Sequence, residues 1–415
     1  MSSVALLLGL LVVAYLGSNL MGEGRAGYRL PSGAEYLLFG IAMGPYALGL
    51  VERSTLSSFE PLSVVGTAWL TLVIGADYGF HEDRRVAVRG LVLGLLLAAA
   101  TALGVLFAVY TLLSRVPLLP GADVRLVAAG AALVSCETTR HAVRWVAGRY
   151  GTEGPLSRLV GDLSDADDLV PIIGIALFFP ALSSEDLAIQ LPFHVWGALT
   201  PLLGVVLGGT AAALLRSEPR ASEGWGVIIG ATLLATGIAW RLGLAPQAAT
   251  FALGLTLSVT SRHGKELRAM ISGTEQAVLL PTLVLAGAEV EVSAPMGLAA
   301  GLAAVVLVRI LVRRLFAPVL VSAAGAPKAS EGALSVGLVS TGALSITVAL
   351  AFSSRFPGPS GDAVLALGVL LALAGELVGP RSLKRALVLA GEVKEARSEA
   401  EPPAEPVVPR TEVPS

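Results

Sequence analysis

Four aspartates lie close together in one otherwise apolar stretch, where residues 161–171 read GDLSDADDLVP. Asp162, Asp165 and Asp168 are three residues apart and would share one helix face, with Asp167 about 100° round the helix from Asp168. Because a carboxylate in hydrocarbon is costly, such residues usually bind ions or protons. We predict that Asp167 and Asp168, which precede a long apolar run, form such a site. Asp162 is expected to lie in water at the helix end, whereas Asp165 could lie either in water or within the ion site.

A second costly charge is Arg309, which interrupts the apolar run VVLVRILV. An unpaired guanidinium at that depth costs at least ~2.5 kcal/mol. We predict that Arg309 is the charge partner of the aspartates, Asp167 above all. The alternative is that its long side chain reaches back to the membrane surface. Arg313 and Arg314, one turn further on, are expected to do this at the helix end.

Two polar interruptions divide apolar runs at residues 135–139, which read SCETT, and at residues 340–345, which read STGALS. A short polar, small-residue patch makes a poor continuous membrane helix and is typical of an unwound crossing. Glu137 and Thr138 would add oxygen atoms to the aspartate site. The residues predicted to form the two crossings are Ser135, Cys136, Thr341 and Gly342.

The composition of the chain limits the class of protein that positions these residues. Of 415 residues, 54% are hydrophobic and 14% charged, against about 25% charged in an average soluble protein. The mean hydropathy is +0.76. One cysteine excludes a disulfide framework, and four histidines on separate segments lack metal-ligand spacing. The net charge of −2 gives no basis for a nucleic-acid partner. We therefore predict a polytopic membrane protein that is not an enzyme and needs no cofactor or transition metal.

Apolar runs long enough to cross about 30 Å of hydrocarbon recur along the chain and predict about thirteen transmembrane helices. The runs are 3–20, 33–51, 59–79, 88–114, 124–147, 156–182, 193–215, 224–241, 245–260, 273–290, 296–323, 332–353 and 362–379.

Four acids fall near the ends of these runs, where water would solvate them. They are Asp77, Glu275, Glu289 and Glu376.

Basic residues alternate between the loops that these runs define. Nineteen Lys and Arg residues fall in odd-numbered loops and the first part of the C-terminal segment, against five in even-numbered loops. The positive-inside rule therefore predicts an outside N-terminus and an inside C-terminus. The odd-loop residues include Arg25, Arg29, Arg84, Arg85, Arg216, Arg220 and Arg262.

The two polar interruptions lie in the fifth and twelfth runs, seven runs apart. Interrupted segments at corresponding positions of two halves indicate a transporter built from inverted repeats, and an odd offset gives the halves opposite orientations. We predict a first repeat at 1–192, a linking span at 193–222 and a second repeat at 223–385. The Glu- and Pro-rich tail at 386–415 is expected to be disordered and cytoplasmic.

The pattern resembles the monovalent cation/proton antiporter superfamily of the sodium/hydrogen exchanger type over nearly all of residues 1–385. Asp77 stands where relatives usually have an acidic residue, and the Asp167-Asp168 pair resembles that of bacterial electrogenic members. Arg309 stands where electrogenic relatives usually have Lys and electroneutral ones Arg. Further similar stretches are Leu30-Pro31, GIAMGP at 40–45, TLVIGA at 71–76, the crossing at 135–138, GALSVGL at 332–338 and Thr341-Gly342.

The resemblance implies exchange of Na⁺ for protons in pH homeostasis, by a homodimer in the cytoplasmic (inner) membrane. The chain departs from the family at Arg140 and His141, which replace apolar residues after the first crossing and could obstruct the pathway. Pro171 and Asp165 also make the sixth run more polar and kinked.

The residues permit a mechanism in which a proton and a dehydrated cation compete for one carboxylate. Two carboxylates in a low-dielectric cavity cannot both keep their charges cheaply. We assign the exchangeable site to Asp168 and expect Arg309 to hold Asp167 ionised, with alternating access by rocking of one helix bundle against another. The Arg favours electroneutral exchange and the Asp pair electrogenic exchange; we favour the former.

Two other classes remain open at this point. A cation or proton channel could use the same acidic cavity, and a transporter-derived membrane sensor would transport nothing. Na⁺, K⁺ and Li⁺ are not distinguished, because oxygen ligands serve all three ions.

Overall fold

The computed structural model describes residues 3–22, 33–78, 88–182, 191–215, 221–261, 264–292 and 294–393, and these residues contain helices and no strand. The helices are α1 Ser3–Gly22, α2 Ala34–Met43, α3 Arg53–Ser58, α4 Glu60–Tyr78, α5 Val88–Arg115, α6 Val124–Ser135, α7 Arg140–Tyr150, α8 Pro155–Ala166, α9 Leu169–Leu182, α10 Phe193–Leu214, α11 Ala221–Arg241, α12 Pro246–Thr260, α13 Gly264–Ser272, α14 Glu275–Ala288, α15 Pro295–Ala324, α16 Glu331–Gly337, α17 Ala343–Arg355 and α18 Pro359–Leu389, with a 3₁₀ turn at Lys328–Ser330.

Each of the thirteen predicted runs coincides with one helix or with two consecutive helices. The fifth, sixth and twelfth runs are the divided ones, at α6/α7, α8/α9 and α16/α17. Within the described part of the chain, six helical segments are long and apolar enough to span a membrane. The all-α prediction is therefore confirmed, whereas thirteen crossings and their orientation stay predictions.

The helices pack as two groups. The crossing bundle consists of α5–α9 and α15–α18 and contains both polar interruptions. The flanking bundle consists of α1–α4 and α10–α14. The groups meet mainly where α9 packs on α10, and where α17 packs on α4 and α14.

Glycines allow the closest helix contacts of the flanking bundle. A Cβ atom at Gly75 of α4 would overlap the Phe251 carbonyl oxygen of α12, and one at Gly254 would overlap the Leu72 carbonyl oxygen. Small residues bring helix backbones together in this way in membranes, where lipid tails are as apolar as side chains. The pair α4/α12 is consequently a tightly packed support beside the site.

An apolar core joins the crossing bundle around α6, α17 and α18. It includes Phe179 of α9 and Phe352 of α17, whose ring centroids lie 5.9 Å apart. Phe356 packs on both rings. These contacts fix α17, which lines both cavities described below, against α9.

The C-terminal boundary of the second repeat differs from the prediction. Helix α18 continues to Leu389, and Ala386 and Leu387 are buried. The first residues assigned to the tail are therefore packed helix, because their apolar side chains face the bundle. The rest of the tail, 394–415, lies outside the described residues, as do Leu30-Pro31 and the basic residues Arg25, Arg29, Arg84, Arg85, Arg216, Arg220 and Arg262. The two-repeat boundaries stay a prediction.

Candidate functional site

The two polar interruptions lie against each other. Helix α6 ends at Ser135 and α7 begins at Arg140, while α16 ends at Gly337 and α17 begins at Ala343. The Thr139 N–H donates to the Ser340 carbonyl at 3.2 Å. A Cβ atom at Gly342 would overlap the Thr139 side chain. The glycine is therefore needed for the close approach of the two interrupted segments.

Asp167 and Asp168 lie in a third interruption, between α8 and α9. They are 0% and 2% exposed. The Thr138 N–H donates to Asp167 Oδ2 at 2.8 Å. Asp167 Oδ1 and Asp168 Oδ2 are buried without a hydrogen-bond partner in the described structure, and so is Thr341 Oγ1. The sixth run, expected to be kinked, is divided here by a two-residue turn that holds the pair, and Pro171 follows in the first turn of α9.

Glu137 caps the second half of the broken α16/α17 pair. Its buried Oε1 accepts hydrogen bonds from the N–H groups of Gly342 at 2.7 Å and Ser345 at 3.0 Å, and the Ser345 Oγ lies 2.9 Å away. A carboxylate at a helix N-terminus compensates the partial positive charge of unpaired N–H groups. The structure thus gives Glu137 a capping position beside the aspartates.

Two arginines of α15 bind main-chain carbonyls that follow the C-terminal ends of α6 and α16. Arg309 and Arg313 are fully buried. Arg309 donates to the carbonyls of Glu137 at 3.1 Å and Val339 at 2.8 Å, and Arg313 donates to that of Leu338 at 2.6 Å. Carbonyls at helix C-termini carry partial negative charge and attract cations.

The expectation that Arg313 reaches back to the membrane surface is wrong. It follows Arg309 by four residues and so shares its helix face, where the interrupted segments offer carbonyl acceptors in place of water. The predicted pairing of Arg309 with Asp167 is not among the ion pairs of the described residues. Arg309 bonds to main-chain oxygens instead, and its role as a charge partner stays a prediction.

Arg140 stands between two acids. It is 6% exposed, with Nε 4.0 Å from Asp168 Oδ2 and Nη1 3.8 Å from Asp77 Oδ2. The other Asp77 oxygen accepts from Arg268 Nε at 3.0 Å and Ser272 Oγ at 2.9 Å. Asp77 is 7% exposed, so its predicted solvation is wrong: basic residues and a hydroxyl replace water around it.

The same turn of α7 makes further ion pairs with neighbouring helices. His141 Nε2 lies 3.2 Å from Glu275 Oε1 of α14. Arg144 lies 3.9 Å from Asp77 and 3.5 Å from Asp165. We call the contacts of Arg140, His141 and Arg144 with Asp77 and Glu275 the α7 seam; they join the crossing bundle to the flanking bundle.

The remaining acids that the sequence singled out lie in different surroundings. Glu289 lines a separate chamber described below. Asp162 and Glu376 are buried, contrary to the solvation predicted for them. Glu275 is part of the α7 seam, at 22% side-chain exposure. Helix packing, which hydropathy alone does not register, covers these positions.

Two cavities in the described part of the chain lie between the bundles. A small one of about 10 Å³ lies beside Asp168, with Glu137, Arg140, His141 and Glu275 in its wall. A larger one of about 370 Å³ is bordered by Tyr46 and Arg53, which are 47% and, in its side chain, 64% exposed. We call it the acidic chamber. Its charged residues are Arg53, Glu60, Glu289, Glu291 and Asp362.

The acidic chamber and the small cavity lie at different levels along α4. Glu60 in the first turn of this helix lines the chamber, whereas Leu70 and Ile74 line the small cavity, about 15 and 21 Å further along the helix. The α7 seam meets the last turn of α4 at Asp77. The structure therefore has a closed, ion-paired end and an open, acidic end. Among the described residues, no group of three or more His, Cys, Asp or Glu side chains could hold a metal ion.

Sequence reasoning missed the burial of Arg313, Asp77 and Arg140 at the site. The four-residue spacing of Arg309 and Arg313 was a signal for the first of them. The sequence shows the departure at Arg140, but not which carboxylates this residue meets. Those partners lie on α4 and α8/α9, and only the packing of the two bundles brings them together.

Residues 7–386 match the model of the family described as sodium/hydrogen exchanger, transmembrane. A search of curated proteins gave no match. The solved structure of the sodium proton antiporter MjNhaP1 from Methanocaldococcus jannaschii at pH 8 is similar, with a TM-score of 0.67 over 94% of this chain and 99% of that chain. The identity is 12%, so this likeness shows the fold.

Proposed function

Since this chain belongs to the transmembrane sodium/hydrogen exchanger family, we propose that it performs monovalent cation/proton antiport with Asp168 as the single exchangeable site. Na⁺ is the proposed cation. The family and the apolar helices make the chain a multi-pass integral membrane protein. Its inner-membrane location, homodimeric state and outside N-terminus stay predictions.

The unpartnered oxygens at the crossing carry this proposal. Asp167 Oδ1, Asp168 Oδ2 and Thr341 Oγ1 are buried and lack hydrogen-bond partners in the described structure. Buried polar atoms in folded proteins are nearly always paired, so an exception needs an explanation. A bound proton or a dehydrated monovalent cation would satisfy these oxygens, which is what an antiporter requires of its site.

The two aspartates differ in a way that favours Asp168 as the exchanging group. Asp167 already accepts the Thr138 N–H, which stabilises its ionised form. Asp168 lines the cavity of about 10 Å³, which holds about one water-sized particle. One proton or one cation fits there, and competition between them couples the two fluxes.

The charges buried around the crossing favour an electroneutral exchange. Three acids, Glu137, Asp167 and Asp168, lie with three arginines. The buried arginines are Arg140, Arg309 and Arg313. When all six are ionised the charges cancel, so Asp167 has no need of a second proton. One cation then replaces one proton at Asp168, and an imposed voltage should leave the rate unchanged; a voltage-driven flux would contradict this stoichiometry.

Alternating access is proposed from the two bundles and their cavities. The acidic chamber and the small cavity both lie between the bundles, at different levels along α4. Rocking of the crossing bundle would close one end and open the other, while the interrupted segments carry Asp168 with them. The bound cation would then face each side in turn.

The decisive experiment uses the full chain in proteoliposomes with an imposed pH gradient. Addition of Na⁺, K⁺ or Li⁺ should dissipate the gradient with the wild type, and Asp168→Asn should abolish this. Glu266→Gln, an acid-to-amide change at an exposed position of α13, is the matched control and should retain exchange. Retained exchange in Asp168→Asn would overturn the site assignment.

The same assay separates the two alternative classes. Cation flux that ignores the proton gradient would indicate a channel. A properly folded wild type without any flux would indicate a membrane sensor. Either result contradicts antiport.

A further inference from the structure

Arg140 is held loosely for a buried arginine. Its two ion pairs, to Asp168 and Asp77, are 4.0 and 3.8 Å long, beyond hydrogen-bond distance. Its Nη2 atom is buried without a hydrogen-bond partner in the described structure. A guanidinium carries five N–H donors, and each buried donor that lacks an acceptor costs free energy. Arg140 is therefore placed by the charges on either side of it and not by a fixed set of bonds.

Arg140 also occupies the approach to Asp168. Both side chains line the cavity of about 10 Å³, which has room for about one water-sized particle. A cation bound to Asp168 would lie a few ångströms from the guanidinium at low dielectric, where like charges repel strongly. The cation and the guanidinium therefore cannot both neutralise this carboxylate.

Resting on the exchange function proposed above, we propose that Arg140 is a tethered cation that neutralises Asp168 while no cargo is bound, and that the transported cation must displace it. Arg140 would thereby set the affinity of the site for its substrate. It acts as a positioning and specificity-determining residue, because it competes for the binding carboxylate without contacting the cargo.

Asp77 provides the position to which Arg140 withdraws. Its Oδ1 is engaged by Arg268 and Ser272, whereas its Oδ2 faces Arg140 and Arg144 at 3.8 and 3.9 Å. Oδ2 can therefore accept a closer guanidinium when Asp168 binds a cation. The two acids then act in opposite senses: Asp168 retains Arg140 in the site and Asp77 draws it out.

A tethered competitor raises the apparent Kd, which equals the intrinsic Kd divided by the fraction of molecules in which the site is free. Arg140→Leu should consequently lower both the KM for Na⁺ and the equilibrium Kd about tenfold, the scale of a close charge pair. Asp77→Asn should raise both constants, because Arg140 loses its second partner. The double variant should behave like Arg140→Leu, and Arg140→Lys, which keeps the charge, should stay near the wild type.

The experiment measures ²²Na⁺ binding to the full purified chain and Na⁺-driven proton flux in proteoliposomes, both at alkaline pH so that protons compete least. Arg149→Leu is the matched control, since Arg149 is exposed on the same helix and should leave both constants unchanged. Thermal melting of each variant shows whether it is folded, and equilibrium binding remains measurable where transport is slow.

The outcomes separate this inference from the function on which it rests. A folded wild type that neither binds Na⁺, K⁺ or Li⁺ nor couples them to protons contradicts the exchange function itself. A wild type that exchanges, with Arg140→Leu unchanged or weaker in cation binding, contradicts only the tethered cation. Shifts of KM in the same direction for Arg140→Leu and Asp77→Asn would also overturn it, because a merely structural role damages both alike.

Discussion

The α7 seam and the acidic chamber join the same two bundles, but with opposite use of charge. At the seam, basic residues of α7 face acids of the flanking bundle, and the remaining cavity is about 10 Å³. At the chamber, acids stand on both sides, and the cavity is about 370 Å³. Unlike charges hold the bundles together at one end, and like charges keep them apart at the other.

One basic residue partly compensates the negative charge of the acidic chamber. Glu60, Glu289 and Glu291 come from the flanking bundle and Asp362 from the crossing bundle, and Arg53 pairs with Glu291. The carboxyl groups outnumber the basic group by three. A cleft of one sign raises the local concentration of counter-ions, so the open end also attracts cations. The charges that favour an open chamber therefore also attract the transported cation to it.

The largest effect is expected in the chemical accessibility of the two ends of α17. Ser354 lines the chamber and Thr347 lines the small cavity at 1% exposure. In a Cys136→Ser background, Ser354→Cys should react with a polar maleimide about 100-fold faster than Thr347→Cys, because the latter reacts only after the seam opens. Labelling rates of the detergent-solubilised chain give the ratio, and equal rates would contradict a closed seam.

A charge reversal should convert the open end into a closed one. Asp362→Arg would place a guanidinium of the crossing bundle opposite the flanking acids, as at the seam. We expect labelling of Ser354→Cys to slow about tenfold, because the chamber closes on its new ion pairs. Asp362→Asn removes the charge without creating a pair and should leave the labelling rate nearly unchanged; equal slowing in both variants would refute the electrostatic cause.

Breaking one ion pair of the seam should have a smaller effect. Glu275→Gln removes the partner of His141, one of the three α7 residues that bind the flanking bundle. Labelling of Thr347→Cys should accelerate about fivefold, an effect of ~1 kcal/mol for a partly exposed pair. Labelling of Ser354→Cys should not change. Glu266→Gln is the matched control, and acceleration at both cysteines would indicate general loosening of the fold.

The smallest effect is expected from single chamber acids. Glu60→Gln should raise the KM for Na⁺ entering from this end about twofold at low ionic strength, since it removes one attracting charge. Choline chloride at high concentration should abolish the difference, because salt screens exposed charges. A KM difference that persists in high salt would show that Glu60 binds the cation directly and does not merely attract it.

The sequence predicted those features that depend on the chain locally. Apolar runs are set by the thickness of the bilayer, so each coincides with a helix or a helix pair. Residues 135–139 and 340–345 were recognised as interruptions because small polar residues make poor membrane helices. The pair Asp167 and Asp168 was recognised because a charge deep in an apolar run is costly.

What the sequence did not predict depends on packing between distant segments. Hydropathy treats Arg313 as a residue that needs water, although helix carbonyls at the crossing replace water there. It treats Asp77 as a helix end, although Arg268 and Ser272 come from a segment 191 and 195 residues away. The carbonyls that bind Arg313 and the side chains that bind Asp77 cannot be predicted from the residues adjacent to each charge in the sequence.

Helix α17 has one further consequence, which concerns the electric field across the membrane. Thr347, beside the small cavity, and Ser354, beside the chamber, are seven residues apart, which is about 10 Å along a helix. The hydrocarbon layer is about 30 Å thick. Where water fills the chamber, the voltage falls across this partition and the closed seam beyond it. A cation that enters through the chamber therefore keeps its hydration shell over part of the membrane, and only about 10 Å of helix separates the chamber from the small cavity, where that shell must be lost.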